Sequence, residues 1–159
     1  MVFKSAIICL IVAGLCHIVP LLADEIYTNC ANDNNLGMVT EVQLDDCTET
    51  PCTLHRNSTV EILVGFIPYF TVDYLSLNVY GLIETKYYKY KYSFINNANA
   101  CDESYNIKCP IEEKERQIFK MEVEIKSYYP QWELSVIAAL SDENSGYNIV
   151  CIGIDVNIE

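Results

Sequence analysis

Histidine is scarce in this chain, with two in 159 residues, His17 and His55. A Ser-His-Asp or Cys-His catalytic site needs imidazole, and so does a Cys/His zinc cluster. Basic residues are also few: ten Lys and Arg stand against 22 Asp and Glu, for a formal net charge of −12. Nucleic-acid binding rests on a basic footprint, so this balance argues against it, and it also disfavours electrostatic adhesion to anionic lipid surfaces. The six glycines are scattered and none opens a phosphate-cradling loop. No C-x-x-C pair begins a zinc site. No window of a dozen residues carries a helical apolar stripe. Glu122 and Glu124 fall on the polar side of an alternating segment, a solvated face rather than a glycosidase pair. Asp45-Asp46 and Asp142-Glu143 fall in turns without the ligand spacing of a dedicated calcium site. The expectation is a protein that is not an enzyme and carries no cofactor or metal.

The amino terminus is where apolar residues concentrate. Lys4 is the only charge before Asp24, and Ala6–Leu15 is almost wholly apolar. This pattern reads as a secretory signal peptide over residues 1–23, cleaved after Ala23. A membrane anchor needs about 20 clean apolar residues, and this stretch reaches Ala23 only by passing His17 and Pro20. Residues 24–159 then form one domain, secreted to the extracellular space or the endolysosomal lumen. Losing the leader removes Lys4, Cys9 and Cys16, so the charge becomes −13 and the eight Cys become six.

Those six are Cys30, Cys47, Cys52, Cys101, Cys109 and Cys151. An even number in a secreted chain reads as three disulfides out of fifteen possible pairings. Cys47 and Cys52 flank Pro51 in a short turn, and Cys101 and Cys109 bracket a polar loop. Proximity suggests these two pairs and leaves Cys30 with Cys151, although spacing alone does not prove connectivity.

The chain between the cysteines alternates. Phe119, Met121, Val123 and Ile125 interleave with Lys120, Glu122, Glu124 and Lys126, the period of a half-buried strand. The same period runs through Val60–Phe66, Leu75–Val79, Trp132–Ala138 and Val150–Ile158. Met38, Val42 and Leu44 suggest an earlier strand, and Tyr88, Tyr90, Tyr92 and Phe94 one in the middle. Pro68, Gly81, Pro110, Tyr129-Pro130 and Asp142–Gly146 are read as turns between them. The fold expected is all-β, a sandwich of two antiparallel sheets. Twelve tyrosines stand out, several of them in the ladder Tyr87–Tyr92 with Lys89 and Lys91 between. Either the ladder packs inward as an amphipathic strand, or Tyr90, Tyr92 and Phe94 line a pocket entrance.

Six stretches carry a resemblance. They are Asp46-Cys47 to Pro51-Cys52-Thr53-Leu54-His55-Arg56, Val79-Tyr80-Gly81, Asn99-Ala100-Cys101, Lys108-Cys109-Pro110-Ile111, Lys126-Ser127-Tyr128-Tyr129-Pro130 and Val150-Cys151-Ile152. In order and spacing they resemble the MD-2-related lipid-recognition (ML) family, the group of the Niemann-Pick type C2 sterol-transfer proteins and the group 2 mite allergens. The resemblance covers essentially all of residues 24–159. It implies the disulfides Cys30–Cys151, Cys47–Cys52 and Cys101–Cys109. It also implies an immunoglobulin-like β-sandwich whose sheets splay around a hydrophobic cavity.

Family members carry a hydrophobic ligand rather than transform it. The valine–tyrosine–proline set that borders the ligand in the sterol-transfer branch falls on Ile125, Tyr129 and Pro130. An aromatic position falls near Tyr92 or Phe94, and an apolar one on Leu44. Inward strand positions such as Phe66, Met121 and Val123 complete the expected ligand-binding set. The implied partner is a hydrophobic small molecule (a sterol, fatty acid or other lipid) held by a monomer, with a receptor or membrane protein as a further partner and no nucleic acid. Alternatives are a lipid-presenting accessory protein of innate immunity that recognises microbial glycolipid through Lys86, Lys89 and Lys91, and an arthropod semiochemical carrier. Two departures stand out: Glu84–Tyr92 replaces a proline- and glycine-rich segment, and Asn57 replaces a glycine. Asn57-Ser58-Thr59 is also an N-glycosylation acceptor, expected in a surface turn.

Overall fold

The computed structural model describes residues 7–12, 15–20, 25–30 and 35–159. In chain order the strands are β1 (Ile7–Val12), β2 (Leu15–Pro20), β3 (Thr28–Asn29), β4 (Gly37–Leu44), β5 (Cys52–Leu54) and β6 (Ser58–Pro68). They continue with β7 (Leu75–Glu84), β8 (Lys89–Asn99), β9 (Gln117–Ile125), β10 (Glu133–Asp142) and β11 (Asn148–Ile158). Among the described residues one 3-10 turn, Glu103–Tyr105, interrupts them. Strands β1 and β2 pair only with each other, antiparallel, within the stretch read as a leader.

The remaining strands form two sheets. One has the order β3-β11-β10-β7-β8, and the other the order β4-β6-β9. All these pairs are antiparallel, as the alternation predicts. The short β5 departs from that expectation by running parallel to the end of β11, with Cys52 opposite Val156. Cys30–Cys151, Cys47–Cys52 and Cys101–Cys109 are bonded. Among the described residues no helix is long and apolar enough to cross a membrane.

Period two produces the sandwich directly. On β9, Phe119, Met121 and Ile125 turn inward and are buried. On its outer face Lys120 pairs with Glu61 of β6 at 2.6 Å, and Lys126 pairs with Glu124. Phe66, Leu77, Phe119 and Ile152 fill the centre between the sheets. Phe66 sits there with no exposed surface. Phe66→Ala is expected to cost about 3–5 kcal/mol, the usual loss for a fully buried ring, measured by urea unfolding.

Two features break the simple alternation. The register shifts between Val39 and Glu41 of β4, so Met38 turns outward and is 48% exposed although it shares parity with the inward Leu44. Strand β10 is apolar on both faces: Ile137 and Ala139 form a small buried cluster with Cys151 on the reverse side of the sheet. Gly81, read as a turn, lies inside β7 instead, opposite Tyr92 and Val136.

Candidate functional site

An apolar cavity of about 260 Å³ lies between the sheets, on the side where edge strands β8 and β9 face each other. Its floor is aliphatic: Leu44 and Ile62 reach it from the β4-β6-β9 sheet, and Leu54, Val79, Ala138 and Ile154 from the larger one. Apart from Leu54 on the short β5, these positions are inward because each belongs to a period-two face. Polar residues occur along one rim only, where Glu122, Glu124, Lys126 and Tyr129 of β9 and the following loop line the opening. The Glu124 carboxylate accepts from the Lys126 ammonium, so part of the rim's charge is internally paired. Wider clefts over the Cys47–Cys52 turn and the Cys101–Cys109 loop, about 480 and 770 Å³, are lined mainly by polar and charged residues.

The mouth is aromatic. Phe94 lies 6.0 Å from Tyr129 between ring centroids, and Tyr92 meets Phe94 edge-on at 5.1 Å. Gly81 lies beneath this mouth: a Cβ there would come 2.5 Å from Leu134 Cδ1 and 3.1 Å from Phe94 Cε2, so a larger residue would make both side chains shift. Burial pushes the Tyr129 phenol above its ordinary pKa, with smaller contributions from Tyr128 and Tyr92. Tyr129 is therefore a neutral hydroxyl at neutral and acidic pH, suited to hydrogen-bond the polar end of a ligand.

Of the side chains expected at a ligand, Leu44, Phe94, Met121, Val123, Ile125 and Tyr129 line this cavity. Phe66, Tyr92 and Pro130 do not. Phe66 is in the filled part of the core; Tyr92 is exposed and reaches the cavity only through Phe94; Pro130 faces solvent. Leu54, Ala138, Ile154, Val156 and Ile158 line it without having been singled out. The last three stand on the recognised inward face of β11. The signal for them was therefore present, but nothing distinguished cavity lining from core filling.

The tyrosine ladder does not pack inward. Tyr88, Tyr90 and Tyr92 share a face with Phe94 but are exposed. Lys91 lies on the reverse face, its Nζ 3.6 Å from the Tyr80 ring centroid. Lys89 pairs with Glu84 at 2.6 Å, and Lys86 lies over Tyr87. Neither Lys86, Lys89 nor Lys91 lines the cavity.

A family model described as an ML domain matches residues 25–158. The chain belongs to the ML-domain family. Among relatives of this ML domain is the NPC intracellular cholesterol transporter 2 homolog a of Drosophila melanogaster, 26% identical over 135 residues. That alignment covers 84% of this chain and 86% of the fly protein. A Niemann-Pick type C2 protein from Japanese carpenter ant has the same fold, with a TM-score of 0.73 at 17% identity, over 84% of this chain and 99% of the ant protein. The C-terminal domain of wzt shares the sandwich more distantly, with a TM-score of 0.53 at 12% identity, over 86% of this chain and 78% of that domain.

Proposed function

We propose that this ML domain is a secreted carrier that holds a sterol or another hydrophobic molecule between its two sheets, without chemical change. The observation that carries this reading is the cavity itself, an apolar space with aliphatic walls and polar groups at one rim. Such a space favours a ligand by about 2.5 kcal/mol for every ~100 Å² of apolar ligand surface removed from water. The rim orients the ligand, with the neutral Tyr129 hydroxyl offered to its polar end. At about 260 Å³ the cavity is just below the ~300–1,000 Å³ usual for small-molecule pockets. A ligand as large as a sterol therefore enters by displacing Phe94 and Tyr129 at the mouth. The cholesterol in the Drosophila relative's name favours a sterol over a fatty acid.

Secretion rests on the apolar leader. The family match begins at residue 25, beside the proposed cleavage after Ala23, which supports a mature chain starting at Asp24. Asn57 is exposed in a turn with φ 64°, its amide donating to the Ile125 carbonyl at 2.7 Å. That exposure supports an N-linked glycan there. Native mass spectrometry of the protein secreted from eukaryotic cells tests all three points together. The expected masses are those of residues 24–159, a glycan, and one retained hydrophobic molecule. A protein that stays empty when offered sterols and fatty acids contradicts the carrier reading.

A further inference from the structure

The β7–β8 hairpin, next to the cavity mouth, carries a concentration of exposed tyrosines. Its tip is closed by hydrogen bonds. The Thr85 amide donates to the Tyr88 carbonyl at 2.8 Å, and the Tyr88 amide donates to Thr85 Oγ1 at 3.0 Å. Around this turn Tyr87, Tyr88 and Tyr90 are 76%, 64% and 57% exposed. Tyr128, 74% exposed, stands against Tyr129 at 5.2 Å. Aromatic rings thus run from the hairpin surface through Tyr92 and Phe94 to Tyr129 at the cavity. The charge reverses locally as well. Residues 84–92 hold three lysines and one glutamate, in a chain of net charge −12.

We infer that this hairpin docks the protein, tip first, on a bilayer surface carrying anionic headgroups, with the cavity mouth beside the membrane. Tyrosine partitions to the membrane–water boundary because its ring is apolar and its hydroxyl is not. Lysine lays its stem along the same boundary and places its ammonium among phosphates. Protein–protein interface cores are depleted of lysine, whereas here Lys86, Lys89 and Lys91 are interspersed among Tyr87, Tyr88, Tyr90 and Tyr92, which favours a bilayer over a protein partner. The acidic remainder of the chain is repelled by the same headgroups, so contact is confined to the hairpin. The advantage of this geometry rests on the carrier reading, since an apolar molecule leaving between Phe94 and Tyr129 then passes into lipid with little exposure to water.

Flotation of the intact secreted protein with vesicles tests the docking. The vesicles are phosphatidylcholine alone, or phosphatidylcholine with one third phosphatidylserine. Wild type is expected to float with the mixed vesicles, and high salt is expected to weaken this. Tyr87→Ser/Tyr88→Ser and Lys86→Glu/Lys89→Glu are each expected to lower partitioning at least tenfold. Both variants are expected to keep wild-type binding of dehydroergosterol in solution, because none of these side chains lines the cavity. Wild type that fails to float, or variants that float equally well, overturn the proposal. Hairpin-dependent capture of a protein partner with no vesicle binding overturns it too. The two readings separate cleanly: floating protein that never binds the sterol contradicts only the carrier reading, and sterol-binding protein that never floats contradicts only the docking.

Discussion

Ala138→Phe is expected to weaken binding of a hydrophobic ligand by at least a hundredfold while leaving the fold intact. Ala138 is a small side chain in the wall of the cavity, on β10 between Ile152 of β11 and Val79 of β7. A ring placed there occupies the space a ligand would take. In a filled core such an enlargement typically costs about 1–3 kcal/mol in strain. Beside an empty apolar space the cost is offset, because eliminating a void recovers about 24 cal/mol per Å³. The expected signature is therefore lost binding together with a melting temperature equal to or above wild type. Isothermal titration and thermal unfolding of the same preparation read both quantities. Lost binding with a large fall in stability would mean that Ala138 sits in filled core, not beside a void.

The second large effect concerns the bond that ties the ends of the domain. Cys30–Cys151 closes a separation of 121 residues, against 5 for Cys47–Cys52. In the chain-entropy description the long loop contributes about 5 kcal/mol and the short one about 2. Cys30→Ala/Cys151→Ala is thus expected to lower the melting temperature by roughly 15 °C, and Cys47→Ala/Cys52→Ala by less than half of that. Equal losses would show that local strain or the denatured state, rather than loop length, governs the effect. Cys30 also helps hold β3 at the edge of β11, where its amide donates to the Cys151 carbonyl at 3.1 Å.

These expectations depend on features that differ in how plainly the sequence displays them. Apolar residues at every second place made β6, β9 and β11 legible, because a strand face turned to the core imposes a period of two; only in β9 are the places between them charged throughout. Strands β3 and β5, two and three residues long, are too short to display a period. The bulge in β4 that turns Met38 outward inserts one residue without a compositional mark. Gly81 looked like a turn because glycine punctuates chains. It lies instead within β7, where the space a Cβ would fill is taken by Leu134 and Phe94, a crowding visible only in three dimensions.

The candidate site was legible in part for the same reason. Periodicity placed Met121, Val123 and Ile125 on an inward face, but it does not record where facing sheets part company. Phe66 and Ile154 carry the same kind of signal; one lies in filled core and the other at the cavity. The tyrosine ladder makes the converse point. Tyr90 has the parity of an inward residue and is still exposed, because parity fixes the face but says nothing of whether another layer covers it. The disulfide pairing was suggested by spacing and by the family resemblance together, since fifteen pairings were open to six cysteines.

The central claim is that a ligand occupies the space between β9 and the larger sheet. Photoaffinity labelling with a diazirine-bearing sterol, followed by peptide mapping, tests it most directly. Label on the segment Met121–Tyr129 and on Phe94 or Ile95, competed away by unlabelled sterol and absent in Ala138→Phe, is the predicted result. Competable label confined to the acidic turn around Cys47–Cys52, or label that unlabelled sterol does not displace, would contradict the claim.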